Sequence, residues 1–97
     1  MKIVGAMETY YSILWQIYGE PTIGPDSNEL DKNSVEWHLT LDGHDVEITD
    51  YKTYGSTPVN LTYFVIRAKD EAAIDAVKAS IKKARKLSAV KFKKSFR

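Results

Sequence analysis

The stretch from Val35 to Thr49 constrains the fold more than any other. Val35, Trp37, Leu39 and Leu41 alternate with Glu36, His38 and Thr40, and beyond Asp42-Gly43 the residues Val46 and Ile48 alternate with Asp45, Glu47 and Thr49. Alternation with a period of two places the apolar set on one face of a strand. Asp-Gly accepts positive φ at both central positions of a tight turn, the geometry whose twist matches two antiparallel strands. The pattern predicts a β-hairpin with one face turned to a core and the other to water.

The remaining elements are read around that hairpin. Leu61 to Ala68 (LTYFVIRA) is nearly continuously apolar, as expected of a central strand covered on both faces. A helix follows, with Asp70 as its cap, Glu71 in its first turn and Ile74, Val77, Ile81 and Ala84 on one face, reaching about Lys86. Met7, Tyr10, Tyr11, Leu14, Ile17 and Tyr18 recur at three- and four-residue intervals, predicting a helix from about Ala6 to Tyr18 with Gly19 as C-cap and Pro21 as stop. Trp15 widens its apolar face, so this helix packs on the sheet and is available to an interface. Lys2-Ile3-Val4 reads as a short edge strand, and residues 20–34 and 52–60 read as loops. Leu87 to Arg97 fits two patterns: Val90 and Phe92 alternate as in a strand, whereas Leu87, Val90 and Lys94 extend a helix. The expectation is an α+β fold in the order β-α-β-β-β-α, a three- or four-stranded, mostly antiparallel sheet packed by two helices. It forms a single domain over residues 1–87, followed by a basic C-terminal tail over residues 88–97.

Ninety-seven residues suffice for one domain. The chain has no cysteine, which excludes disulfides, thiolate metal sites and a cysteine nucleophile. A small secreted domain usually needs such staples, so a cytoplasmic location is expected. No apolar run approaches the ~20 residues of a membrane span, and no membrane partner is expected. Glu8 and Thr9 interrupt the first apolar residues, which therefore lack the core of a signal peptide. The triplet Asn60-Leu61-Thr62 matches a glycosylation acceptor but carries no weight without such a signal.

The net charge of +1 conceals a segregation. Residues 1–77 hold all 13 acids and five bases, a sum of −8, whereas residues 78–97 hold nine bases and no acid, a sum of +9. Lys78, Lys82, Lys83, Arg85 and Lys86 suit the C-terminal half of a helix, where cations complement the dipole. Lys91, Lys93, Lys94 and Arg97, interleaved with Phe92 and Phe96, lie beyond that explanation. A basic-aromatic segment suits nucleic acid, an acidic protein surface or the acidic body of another copy.

No catalytic signature emerges. His38 and His44 flank the turn, and a metal would need Asp42 or Asp45 as a further ligand. Neither the helical H-E-x-x-H spacing nor another ligand spacing is present, so both histidines are read as exposed polar positions, with no metal and no cofactor. Asp42, Asp45, Glu47 and Asp50 are read as a solvated sheet face rather than a carboxylate pair. The segment Gly19 to Gly24 has neither the spacing nor the Lys-Ser/Thr of a phosphate loop. Trp37, Tyr63 and Phe64 belong to a core. Tyr51, Lys52 and Tyr54, together at a loop, are candidates for stacking on a base or docking on a protein.

Several segments together resemble small accessory proteins of tailed bacteriophages. They are Tyr18-Gly19-Glu20-Pro21 closing a helix, Glu36-Trp37-His38-Leu39 opening a hairpin, Asp42-Gly43 at its turn, and Ile48-Thr49-Asp50-Tyr51-Lys52 ending its second strand. A strand and an alanine-rich helix follow, and the resemblance spans about residues 3–84. It implies a non-enzymatic protein of the host-cell cytoplasm. Such a protein inhibits a host factor, such as an anti-phage immune component, by binding the protein or sequestering its nucleotide signal. The contacts expected are Tyr51, Lys52, Tyr54 and Arg67, and a homo-oligomer is expected because a pocket for a small ligand is often built between subunits. The alternative is a nucleic-acid-binding accessory protein using Lys82, Lys83, Arg85, Lys86, Lys91, Lys93, Lys94 and Arg97.

Overall fold

The computed structural model describes residues 1–23, 35–50 and 61–93. Along the chain these form β1 (Lys2–Tyr10), α1 (Tyr11–Tyr18), β2 (Glu36–Leu41), β3 (His44–Asp50), β4 (Leu61–Ala68), α2 (Ala72–Lys83) and β5 (Lys91–Lys93), with a 3-10 turn at Leu87–Ala89. The strands make one sheet in the order β2-β3-β4-β1-β5, every neighbouring pair antiparallel. The architecture is α+β, as expected, with one strand more than the three or four anticipated. The extra strand is β5, so the strand reading of Val90 and Phe92 prevails over the helical one.

The hairpin takes the register that its turn dictates. Asp42 and Gly43 have φ of 49° and 80°, and Trp37 faces Ile48 while Leu39 faces Val46. Ile48 in turn faces Ile66 on β4, and a neighbouring row runs from Phe64 on β4 through Met7 on β1 to Phe92 on β5. Both helices cover this inner face. Leu14 of α1 and Val77 and Ile81 of α2 are fully buried against it. Trp37 makes ring contacts with Tyr11 at 5.7 Å and Phe64 at 6.1 Å. Its indole N–H donates to the Gly19 carbonyl at 2.9 Å, which secures the end of α1. A Cβ on Gly5 would come within 2.8 Å of Ile74 Cδ1, so the absent side chain lets α2 lie close to β1. Among the described residues no helix is long and apolar enough to cross a membrane.

The expected helix from Ala6 is corrected: the strand continues through Tyr10, and the helix begins at Tyr11. The reason is position. β1 lies between β4 and β5, and Val4 to Met7 are buried without a break. Met7 and Thr9 face the core while Tyr10 stays 47% exposed, so the helical spacing of Met7 and Tyr10 has no physical counterpart. Cross-strand pairing, with β4 as far as Tyr10 and with β5 over Ala6 to Glu8, outweighs local propensity. Helix α2 is capped by Asp70, whose Oδ1 accepts from the Ala72 N–H at 2.9 Å. It ends at Lys83, a turn earlier than expected, because the chain turns into the left-handed region at Arg85.

Two hydrogen bonds join distant parts of the chain. Thr9 Oγ1 donates to the Ala89 carbonyl at 2.9 Å, holding the 3-10 turn against β1 just before β5. The Tyr18 and Ser80 hydroxyls, 2.7 Å apart, connect α1 to α2. Thr9→Val removes the donor and leaves the Ala89 carbonyl unpaired, which costs about 1–3 kcal/mol. Urea denaturation should show that loss, and hydrogen exchange should quicken at Val90 to Lys93 relative to β3 and β4. Burial pushes the Tyr18 phenol above its ordinary 10.0, and the Ser80 hydrogen bond draws it partly back. As pH rises, the unfolded chain releases this proton first. The stabilisation is therefore complete below about pH 10 and is lost as pH climbs through the higher folded value. Tyr18→Phe should cost about 0.5–1.5 kcal/mol at neutral pH, and denaturation curves should show the gap to wild type closing above about pH 10.

Candidate cationic interface

Helix α2 turns Ala73, Ala76, Val77 and Ile81 inward, which leaves Lys78, Lys82 and Lys83 on its exposed side. The chain then leaves the helix by a Schellman closure. The Lys86 N–H donates to the Ile81 carbonyl at 3.1 Å and the Arg85 N–H to the Lys82 carbonyl at 2.9 Å. Arg85 itself adopts φ 60°, where glycine is the usual occupant. An arginine in this conformation costs about 1–2 kcal/mol, and its side chain is exposed. The short 3-10 turn then delivers Lys91 and Lys93 to the edge of the sheet.

Two basic residues near this end are held internally. Lys78 Nζ lies 5.3 Å from the Phe92 ring centroid, and Lys93 Nζ lies 3.8 Å from Glu8 Oε1. Lys82, Lys83, Arg85, Lys86 and Lys91 form no ion pair among the described residues. Glu36, Asp42, Asp45 and Glu47 all belong to the β2–β3 hairpin, at the edge of the sheet opposite β5. Of the basic residues, Lys91 and Lys93 on β5 are thereby placed at the edge of the sheet opposite the hairpin.

Arg67 does not join the cluster. It lies on the outer face of β4, with Nη1 3.4 Å from Glu47 Oε1 and Nη2 donating to the Met1 carbonyl at 3.4 Å. Tyr51, Lys52, Tyr54, Lys94 and Arg97 lie outside the described residues. Asp50 corrects the expectation of a solvated carboxylate face. It is 3% exposed, opposite Phe64, and its Oδ1 accepts from the Val35 N–H at 2.8 Å, so it organises the start of the hairpin. Asp42 and Asp45 are exposed as expected.

A groove of 640 Å³, which sequence reasoning did not anticipate, runs beside the cationic edge. It is bounded by α2 on one side and by Val4 and Gly5 of β1 and the three-residue strand β5 on the other. Its apolar floor carries Ile74 and Phe92, and its rim carries both signs, Glu71 and Asp75 with Lys78 and Lys93. Only the apolar character of Phe92 within a basic run hinted at it. Comparison with family models, curated proteins and solved structures finds no match for the chain.

The backbone at Arg85 separates stability from surface charge. Arg85→Gly relieves the left-handed strain, offset in part by the entropy of glycine. Thermal or urea unfolding should show a gain of about 0.5–1 kcal/mol, with one cation fewer at the interface.

Proposed function

We propose that the protein is a non-enzymatic binding module that docks its cationic edge on an acidic surface of a host protein and thereby inhibits that factor. The observation that carries this reading is the run of Lys82, Lys83, Arg85 and Lys86 on α2 and its exit, followed by Lys91 on β5, none of them in an ion pair among the described residues. Such a layout steers an anionic partner into one orientation and speeds encounter. The resemblance to phage accessory proteins makes an anti-phage immune component the target, in the cytoplasm of the infected cell. The mixed rim of the groove favours an extended acidic surface over capture of a free nucleotide signal, because Glu71 and Asp75 oppose a phosphate there. The complementary edges also suit head-to-tail association of two copies, in keeping with the expected homo-oligomer.

Nucleic acid is the second reading, favoured by the exposure of Lys82, Lys83 and Lys91. The acidic hairpin counts against a long duplex, whose phosphates it would repel.

The triple variant Lys82→Glu, Lys83→Glu, Lys86→Glu separates the two. These side chains make no hydrogen bond or ion pair among the described residues, so the melting temperature should hold. Immobilised wild type should retain a protein from nuclease-treated bacterial lysate that the variant does not. Retention by both would sink the cationic-edge reading. If capture instead depends on nucleic acid, anisotropy with a labelled duplex should show log affinity falling by about 0.9 per log unit of salt for each phosphate contact. That slope should flatten in the variant.

A further inference from the structure

We propose that Glu36, His38 and Glu47 form a binding site for a divalent metal ion of the zinc class. Residues two apart on a strand share a face, so Glu36 and His38 project together from β2. His38 and Glu47 are direct cross-strand partners, which brings the β3 carboxylate alongside. One ligand atom from each of the three lies within 4.8 Å of the others. His38 Nε2 and Glu36 Oε1 are already 2.8 Å apart. Ligand atoms around a tetrahedral zinc ion stand about 3.4 Å apart, from bonds of about 2.0–2.2 Å. Seating the ion therefore requires shifts of about 1 Å at these partly exposed side chains, within the reach of rotation about their χ angles. The backbone beneath is held, because the His38 N–H donates to Thr22 Oγ1 at 3.0 Å and Glu36 is bridged to Ile23.

The donor set selects the metal. One imidazole nitrogen and two carboxylate oxygens suit zinc and its neighbours, whereas calcium and magnesium require more oxygen ligands. With a neutral imidazole, the two carboxylates and Arg67 sum to −1, so the site attracts a cation. Arg67 competes weakly, through one 3.4 Å contact to a single oxygen of Glu47. A depression of 260 Å³ beside His38 and Glu47 leaves room for the water that completes a three-ligand zinc site. The site lies on the acidic hairpin, away from the cationic edge, and does not depend on that interface.

Zinc alone, titrated into the untagged full chain, tests the proposal by calorimetry and by the histidine ring resonances. A single equivalent should bind saturably and shift His38 but not His44. His38→Ala should abolish binding, and His44→Ala should leave it intact. Glu36→Gln and Glu47→Gln should each weaken it at least about tenfold, since loss of a mere supporting partner has that effect. Arg67→Gln should tighten it, and excess magnesium should not displace the zinc. All the substituted side chains are partly or largely exposed, and an unchanged backbone spectrum confirms the fold of each variant. Undiminished binding by His38→Ala would overturn the proposal, as would equal, unsaturable shifts at both histidines or no shift at His38.

Discussion

The indole of Trp37 is the contact on which the arrangement of layers depends. β2 is an edge strand, yet Trp37 is only 1% exposed, because Tyr11 from α1 and Phe64 from β4 pack against it. Its N–H has a partner in the Gly19 carbonyl, so burial leaves no polar atom unsatisfied. One side chain thereby sets where α1 ends and which face of the hairpin is inside. Truncating such a residue typically costs about 3–5 kcal/mol, a large share of the about 5–15 kcal/mol that holds a domain together. On the α2 side Gly5 has the complementary role, since helix and sheet approach closely only where a side chain is missing.

The same topology turns a linear charge pattern into a spatial one. β1 inserts between β4 and β5, so the hairpin and the basic C-terminal strand become the two edges of the sheet. Lysines on a short edge strand also discourage further strand addition, which accounts for part of the charge at β5. It does not account for Lys82, Lys83, Arg85 and Lys86, which lie on the helix and its exit. Arg85 is the most telling of these, because it occupies a backbone conformation that glycine would adopt with less strain.

Parts of the candidate sites were readable in advance and parts were not. The basic residues were visible in the sequence, but their division was not. That Lys78 lies near Phe92 and Lys93 near Glu8 follows from the pairing of β5 with β1, across some 85 positions of chain. Arg67 read as a contact residue because a cation stood at the end of an apolar strand. Only the register, with Glu47 opposite, shows it to be partnered. The Glu36-His38-Glu47 constellation was within reach, because a two-residue turn dictates which residues face each other. The residues nearest His38 around the turn do not reveal it, because the third side chain, Glu47, stands opposite on β3.

What the amino-acid sequence determined by itself is local. The Asp42-Gly43 turn, the alternation on both sides of it, the apolar run of β4 and the Asp70 cap depend on backbone dihedrals and side-chain period within a few residues, and all four appear as read. What the tertiary structure decided is non-local. β1 is a strand through Tyr10 because β4 pairs with it that far, and β5 is a strand because β1 offers it an edge over Ala6 to Glu8. Asp50 is buried because Val35 supplies a donor to it. Each outcome turns on a partner distant in sequence, and no local pattern encodes that partner.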